Sequence, residues 1–386
     1  MIIPPARRLQ QVEEYYFSRK LQQIRQMNQA GKDVINLGIG SPDLAPSSET
    51  ITALNEEANQ SDAHGYQPYW GLANLREAIA KWIGNTFNLT LDTESEVLPL
   101  MGSKEGITHI SLAFLNSGDE VLVPSLCYPA YTAVTRMAEA QVRTYPLLDG
   151  TWQPDFEAME SMDTDQVKLL WCNYPHMPTG VSAEPETFER LVDFARRRNI
   201  LICHDNPYAL VLNRHKPVSI LSVPGAREVA IELHSLSKSH NMAGWRLGWI
   251  AGRADYLNEI IKIKSNVDSG MFKAIQQAAV AALSNSKEWH QQRNLEYHQR
   301  QKITFELADT LQCKYDSQQQ GMFVWAKISD KEQSAEELSE SILRQSRVFI
   351  TPGHIFGSQG NRYLRFSLCV SQECLREAVY RVTSSV

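Results

Sequence analysis

The chain has 386 residues, 43% of them hydrophobic, which is longer than a single hydrophobic core usually extends. Its formal charge of −6 comes from 38 basic and 44 acidic residues that are interspersed, so no basic run is available to follow a phosphate backbone. We therefore expect two packed domains and exclude nucleic acid as a main partner.

The N-terminus, "MIIPPARRLQ", contains prolines and arginines but lacks the apolar core of a signal peptide. No stretch approaches the ~18 consecutive apolar residues of a membrane span. The six cysteines form neither a CxxC pair nor a disulfide framework, so we expect reduced and mostly buried thiols. These features predict a cytoplasmic protein without a membrane partner.

Short apolar runs alternate with longer amphipathic stretches from about residue 95 to residue 255. The runs include "DEVLVPS", "VKLLWCN", "ILICHDN", "VAIELHS" and "LGWIAG", and "PETFERLVDFARRRN" is one of the amphipathic stretches. This alternation is typical of a mainly parallel sheet covered by helices. We assign residues 46–275 to this large α/β domain.

The pattern changes beyond residue 275. A long helical pattern, "AIQQAAVAALSNSKEWHQQRNLEYHQRQKITFELADTL", is followed by the shorter strand candidates "GMFVWAKI", "VFITPG" and "YLRFSLCV" and by a further helix. We predict a smaller α+β domain over residues 276–386, completed by the N-terminal segment 1–45.

Polar residues follow three of the apolar runs, where open parallel sheets bind ligands. "VLPLMGSKEG" turns through Gly102 and Ser103 into a helical pattern, and such helix starts suit phosphate. "ILICHDNPY" ends with Asp205, and "VAIELHSLSK" ends with Ser235 and Lys238, for which an ion pair is the alternative. Arg246 follows in "GWRLGW" and suits two phosphate oxygens or, alternatively, a surface salt bridge.

The combination of these groups is more specific than any one of them. A phosphate seat, a lysine, an aspartate and an aromatic ring from "PSLCYPAY" are what pyridoxal phosphate requires: an anion cradle, a Schiff-base amine, a partner for the pyridinium nitrogen and a stacking face. The sequence therefore predicts a pyridoxal-phosphate site.

The string "HSLSKSHNMAGWRLGW" closely resembles the lysine motif of the fold-type I, class I/II aminotransferases. "INLGIGSPD", "GYQPYWGLANLREAIA", "GSKEG", "PSLCYPAY", "HDNPY" and "YLRFS" occur in that family's order, and together the motifs span residues 35–367. The resemblance implies a fold-type I transferase with a mainly parallel central sheet, a smaller second domain and pyridoxal phosphate as cofactor.

The same resemblance implies roles on the cofactor side of the site. Lys238 carries the Schiff base and then shuttles a proton, which requires a neutral amine near pH 7. Asp205 keeps the pyridine nitrogen protonated, Tyr208 hydrogen-bonds the phenolic O3′, and Tyr128 stacks on the ring. The phosphate-binding positions are Ser103, Lys104, Ser235 and Arg246.

On the substrate side, the resemblance implies that Arg365 in "YLRFS" grips the α-carboxylate, with the backbone of Gly40 close to the same group. Tyr66 in "HGYQPYWG" matches a tyrosine that reaches the cofactor of a partner subunit. The resemblance thus implies a homodimer with shared active sites.

One segment, "NYPHMPTG", departs from the family pattern. Most members have Asn before Pro-Thr-Gly, and this Asn donates a hydrogen bond to O3′, whereas Met177 stands here and a thioether cannot donate. We expect Tyr208 to take more of this role, and we hypothesise that His176 or Asn173 compensates. A metal role for His176 fails for want of ligand spacing, so we expect no metal.

The resemblance implies transfer of an amino group from an L-amino acid to a 2-oxo acid with ping-pong kinetics. Lyases and decarboxylases of the same fold begin with the same carbanion and stay open as alternatives, and a non-catalytic regulator is a third. Neutral or aromatic substrates are favoured if the aromatic residues Tyr15, Tyr16, Phe17 and Trp70 line the pocket, but packing is their alternative role.

Overall fold

The apolar runs become strands of a seven-stranded sheet in the computed structural model, which describes residues 3–385. Two smaller sheets contain the remaining strands. In chain order, the strands of all three sheets are β1 Ile35–Asn36, β2 Val97–Leu100, β3 Glu120–Pro124, β4 Gln141–Tyr145, β5 Val167–Asn173, β6 Leu201–Asp205, β7 Ala230–Ser235, β8 Gly248–Gly252, β9 Lys314–Tyr315, β10 Phe323–Lys327, β11 Val348–Phe349, β12 Thr351–Pro352 and β13 Tyr363–Ser367.

Amphipathic stretches form the helices. They are α1 Tyr16–Gln29, α2 Ser48–Ala58, α3 Ala73–Phe87, α4 Ser103–Phe114, α5 Pro129–Met137, α6 Phe156–Glu160, α7 Pro185–Arg198, α8 Leu236–Ser239, α9 Ala254–Val267, α10 Lys273–Leu283, α11 Lys287–Thr310, α12 Ala335–Gln345 and α13 Gln372–Thr383.

The large sheet has the strand order β2-β8-β7-β6-β5-β3-β4. Strand β8 runs antiparallel to both of its neighbours, and the remaining pairs are parallel. Every residue of β6 and β7 is buried, because helices cover both faces, and this explains why these strands read as continuous apolar runs. The prediction of a mainly parallel central sheet is confirmed.

Helix α7 shows how the sequence specifies its own boundaries. Pro185 occupies the first turn, where its missing N–H costs nothing, and Asn199 ends the helix in the left-handed conformation. The buried face consists of apolar residues three and four apart, at Phe188, Leu191, Val192 and Ala195. Three arginines fill the last turn, where they complement the helix dipole.

The smaller α+β part contains a four-stranded antiparallel sheet of order β12-β13-β10-β9. The N-terminal strand β1 pairs in parallel with β11, which supports grouping the N-terminal segment with this part. The exact boundaries at residues 45 and 275 stay a prediction. The long helical pattern is two helices rather than one, because the Ser286 hydroxyl accepts the Trp289 N–H and starts α11 anew.

The thiols are as expected: none of the six cysteines is disulfide-bonded, and all except Cys374 are buried. None of the helices between residues 3 and 385 has the length and apolarity needed to cross a membrane.

Candidate functional site

A cavity of about 650 Å³ opens beyond the carboxyl ends of β5, β6 and β7, between the large sheet and the small one. All but one of the predicted site residues line it: Gly40, Ser103, Lys104, Tyr128, Asn173, Asp205, Tyr208, Ser235, Lys238, Arg246 and Arg365. The parallel strands bring these distant positions together because their carboxyl ends share one edge of the sheet.

An anion cradle forms where β2 turns into α4. Gly102 has a φ of +84°, and a Cβ at this position would collide with the Arg246 guanidinium, so the close approach requires glycine. The first N–H groups of α4 lack intrahelical partners and carry the positive end of the helix dipole. The fork of Arg246 also contacts the Ser237 hydroxyl (3.3 Å) and the Ala243 carbonyl (3.0 Å). This turn suits a phosphate group.

Asp205 ends strand β6, is 5% exposed, and is the carboxylate of the cavity lining. Its Oδ2 accepts a hydrogen bond from the Tyr131 hydroxyl at 2.7 Å, whereas its Oδ1 is buried without a partner. Burial raises the pKa of Asp205 to about 6, although Tyr131, His204 and His234 act in the opposite direction. An unpartnered buried carboxylate oxygen suits a cationic N–H donor.

Sequence reasoning missed Tyr131, which follows Tyr128 by three residues within the same motif. Pro129 starts α5 directly after Tyr128, so the two tyrosines project one helical turn apart, with their rings edge to face at 5.7 Å. The spacing of two tyrosines across a helix start was the signal that could have indicated this residue.

A charged cluster lies behind Asp205 on β6 and β7. Glu232 is fully buried and contacts His234 Nε2 at 2.9 Å and His204 Nδ1 at 3.4 Å, and it also accepts from Asn206 at 3.0 Å. Burial alone would raise the pKa of Glu232, but His234 and His204 outweigh it and hold that pKa well below its usual range. The two histidines therefore serve a buried carboxylate rather than a metal.

Lys238 lies in the short helix α8, directly after β7, and is the last-turn cation of that helix. Its amine donates a hydrogen bond to the Gly40 carbonyl, across the cavity from its own strand. Burial lowers the pKa of this amine, and Arg365 and Arg246 act in the same direction while Cys369 opposes them. The surroundings thus favour the neutral amine that a proton shuttle needs.

Arg365 on β13 is 4% exposed and lies among aromatic rings, 3.9 Å above Phe323 and 4.6 Å above Phe356. Its Nη2 donates to the Gly38 carbonyl at 2.6 Å, while its Nε has no partner. Burial lowers the pKa of Arg365 to about 10, so it stays charged at neutral pH. A buried cation with unused donors suits a carboxylate.

The "NYPHMPTG" segment enters the cavity through Asn173 and Met177, not through His176. Both ring nitrogens of His176 are engaged, with Thr179 at 2.8 Å and with the Leu126 carbonyl at 3.0 Å, and burial lowers its pKa to about 4. The hypothesis that His176 compensates for the missing Asn is therefore wrong. Asn173 lines the cavity, but its amide already bonds the Asp205 carbonyl (2.7 Å) and the Met177 N–H (2.8 Å).

Met177 instead contacts the guanidinium of Arg365, with 3.3 Å between Sδ and Nη1. A thioether is a weak acceptor and cannot compete with a carboxylate for this donor. Met177 thus leaves Arg365 free to bind an anion and adds apolar surface to the cavity.

Two of the four aromatic residues in question line the cavity. Tyr15 and Phe17, at the start of α1, belong to the lining, and Lys104 lies over the Tyr15 ring at 4.8 Å. Tyr16 packs edge to face on His354 instead, and Trp70 lies outside the cavity in a packed cluster. The local sequence could not separate these roles, because all four residues are aromatic and only the path of α1 distinguishes them.

Tyr66 does not line the cavity and is 92% exposed. The prediction places Tyr66 in the active site of a second subunit, so it stays a prediction for a single chain.

Outside the cavity, residues 3–385 contain one group of three side chains whose atoms are close enough to hold a metal ion: Glu105, His109 and Asp268. The Lys264 ammonium already contacts both oxygens of Asp268, at 2.8 and 2.9 Å, and neutralises it. A divalent ion would have to displace this buried cation, so the cluster is an ion-pair network.

The family model "Aminotransferase class I and II" matches residues 32–382. The chain is 38% identical over 379 residues to the LL-diaminopimelate aminotransferase of Moorella thermoacetica, covering 98% of this chain and 97% of the relative. It is 40% identical over 356 residues to the LL-diaminopimelate aminotransferase of Maridesulfovibrio salexigens, covering 92% of each. The structure of apo-BacF from Bacillus subtilis superposes with a TM-score of 0.94 at 34% identity, covering 100% of this chain and 99% of BacF.

Proposed function

We propose, from the premise that the chain belongs to the class I and II aminotransferase family and is a pyridoxal-phosphate-dependent aminotransferase, that its amino-acid substrate has an apolar or aromatic side chain. Its substrates are an amino acid and a 2-oxo acid, as in the family. The proposal concerns the identity of the side chain and the roles of the residues around it.

The residues present fit the cofactor. Asp205 Oδ1, buried and without a partner, suits a protonated ring nitrogen, and the Gly102–Ser103 turn with Arg246 suits the phosphate. When bound, pyridoxal phosphate supplies an aldehyde that condenses with amines and a ring that takes up the electron pair left when the substrate Cα loses its proton. We assign Ser103, Lys104, Ser235 and Arg246 to the phosphate, Tyr128 to the ring face, and Tyr208 and Asn173 to the phenolic oxygen.

Lys238 moves the proton in this proposal. Burial lowers the pKa of its amine and so favours the neutral form, whose nitrogen can accept a proton from the substrate Cα and return it nearby. Arg365 holds the substrate carboxylate close to Gly40, whose carbonyl already lies against Lys238. The substrate Cα is thereby placed beside the amine that acts on it, and release of the oxo acid before the second substrate enters predicts ping-pong kinetics.

The observation that carries the side-chain assignment is the lining around Arg365. Phe17, Phe323, Phe356, Met177 and Ile39 provide an aromatic and aliphatic wall. Within the lining that residues 3–385 provide, Asp205 is the sole carboxylate, and it is assigned to the cofactor. A distal ammonium group on a substrate would find no acidic partner there, whereas a phenyl or branched alkyl group would bury apolar surface.

A second candidate substrate is LL-diaminopimelate, the compound named in the enzymes of Moorella and Maridesulfovibrio. Arg25 on α1 favours it, because this exposed arginine lines the same cavity and has no carboxylate partner among the described residues. Its guanidinium suits the distal carboxylate of a longer substrate.

A half-reaction panel separates the two candidates. The cofactor-loaded protein is mixed with L-phenylalanine, L-leucine, L-glutamate and LL-diaminopimelate, and the rate of the absorbance change is measured for each. We expect the largest ratio of the half-reaction rate constant to the substrate dissociation constant with phenylalanine or leucine. Fastest reaction with diaminopimelate, reduced in Arg25→Ala but not in the neighbouring Gln26→Ala, would replace the first candidate with the second.

We further propose a homodimer in which Tyr66 completes the partner's site. Large apolar side chains are exposed near it, including Tyr69 and Phe272, and the ring of Phe272 stacks on His64 at 5.8 Å. Such a patch is typical of an interface.

The unbridged cysteines support the cytoplasm as the proposed compartment of the protein.

A further inference from the structure

Helix α11 carries a buried arginine that forms no ion pair with an acid among the described residues. Arg293 is 5% exposed, and no carboxylate of residues 3–385 lies within ion-pair distance of it. Burial lowers its pKa to about 10, so it is still charged at neutral pH. A buried charge without a counter-ion is costly, and its hydrogen bonds must offset that cost.

The guanidinium of Arg293 donates to two backbone carbonyls that flank the active site. Nη1 bonds the carbonyl of Ser239, the residue directly after Lys238. Nη2 bonds the carbonyl of Leu210, two residues after Tyr208, and the neighbouring Asn294 amide reaches the same carbonyl at 3.1 Å. One planar fork therefore joins the Lys238 segment to the Tyr208 segment, which come from different strands.

A second arginine on the same face of α11 holds the substrate side. Arg300, two turns further along, bonds Asp43 at 2.6 and 3.0 Å and the Leu368 carbonyl at 3.0 Å. Asp43 follows Gly40 in the loop after β1, and Leu368 directly follows the strand that carries Arg365. The buried face of α11 thus contacts both the cofactor-side segments and the substrate-side segments.

We propose, resting on the roles that the proposed function gives to Lys238 and Tyr208, that Arg293 is a positioning residue. It fixes these two residues relative to each other and, through α11, relative to the substrate-binding side. It touches neither cofactor nor substrate in this role. Without its fork, the two segments lose their shared donor and the amine of Lys238 samples a wider range of positions. Misplacement of a reacting group by about 1 Å is enough to lower a rate by about 100-fold.

The test compares Arg293→Met, Arg293→Lys and the control Lys302→Met, which removes an exposed charge from the same helix. In the cofactor-free protein, hydrogen–deuterium exchange is followed at residues 206–212 and 236–241. In the loaded protein, kcat and KM per bound cofactor and the pH midpoint of the cofactor's absorbance change are measured.

For Arg293→Met we expect faster exchange in both segments, a shifted pH midpoint and a kcat about tenfold or more below wild type, with a smaller change in KM. Arg293→Lys keeps the positive charge and one donor nitrogen in place of two, so it should recover part of each loss, while Lys302→Met should match wild type. Exchange, midpoint and kcat all equal to wild type, whatever the melting temperature, would overturn the proposal. If Arg293→Met does not fold, Asn294→Ala removes the amide that reaches the Leu210 carbonyl, the Leu212 N–H and Arg293 itself but leaves the Ser239 contact in place, and unchanged exchange at 206–212 there counts equally against the proposal.

Discussion

At the residue scale, Asp205 shows how function opposes stability. The role proposed for Asp205 requires a charged carboxyl beside the ring nitrogen, but burial raises the pKa of this carboxyl to about 6. Between about pH 4 and pH 6, Asp205 is therefore protonated in the folded, cofactor-free protein but ionised in the unfolded chain. The stability of the cofactor-free protein should fall as the pH rises through this window, and above it the full penalty applies.

Replacement of Asp205 by Asn removes this penalty. Asp205→Asn should raise the free energy of unfolding of the cofactor-free protein by about 1–3 kcal/mol at pH 7, with little effect at pH 4. The same change should weaken cofactor binding, because the ring nitrogen loses its charged partner. Denaturant unfolding at both pH values measures the first effect. Glu306→Gln, an exposed carboxylate on α11, is the control, and equal stability of Asp205→Asn and wild type at pH 7 would contradict the argument.

Met177 is the second residue whose effect can be isolated. Met177→Asn adds an amide donor to the cavity wall beside Arg365, in the position where the family resemblance implies a donor to the cofactor's phenolic oxygen. The bound cofactor's absorbance change should then move to lower pH by about 1–2 units, because the anionic oxygen is better stabilised. Met177→Leu removes the sulfur without adding a donor, so it should leave the pH midpoint unchanged. A midpoint equal in all three proteins would show that Tyr208 and Asn173 already satisfy that oxygen.

At the element scale, the site is built from places where regular structure stops. Strand β7 passes into the one-turn helix α8 within a residue, and β2 passes through Gly102 into α4, so that backbone N–H groups and side chains meet at the same edge of the sheet. The small sheet supplies the opposite wall through β13, whose Arg365 pairs in register with Trp325 of β10 and Thr351 of β12. Helix α11 packs against this sheet, and its Arg293 reaches the large domain through the carbonyls of Ser239 and Leu210.

At the scale of the whole molecule, a shared active site has a consequence that one chain cannot produce. If Tyr66 acts in the partner's site, a protein with Tyr66→Ala and one with Lys238→Ala should complement each other. Half of the randomly mixed dimers are hybrids with one intact site, so about one quarter of wild-type activity should return. Activity is measured after the two variants are unfolded and refolded together.

The control for this experiment mixes Lys238→Ala with Tyr208→Phe, whose side chains line the same cavity of one chain. No hybrid site is intact in that mixture, so no activity should return. Recovery in neither mixture would contradict the placement of Tyr66 in the partner's site.

The amino-acid sequence by itself determined the large sheet, the class of the small domain and eleven of the residues that line the cavity. It could do so because buried parallel strands have to be continuously apolar, and because their carboxyl ends meet wherever the chain places them. Asp205, Lys238 and the Gly102–Ser103 turn were readable from the ends of single strands.

Only the tertiary structure decided which groups contact each other across the fold. His176 and Met177 are adjacent in sequence, yet one bonds Thr179 and Leu126 in the interior and the other contacts Arg365 in the cavity. Tyr131 on Asp205, Phe17 beside Arg365 and Arg293 on the carbonyls of Ser239 and Leu210 all join segments far apart in the chain. Such contacts depend on how whole elements pack, and a local pattern of residue types contains no information about the partner across the interface.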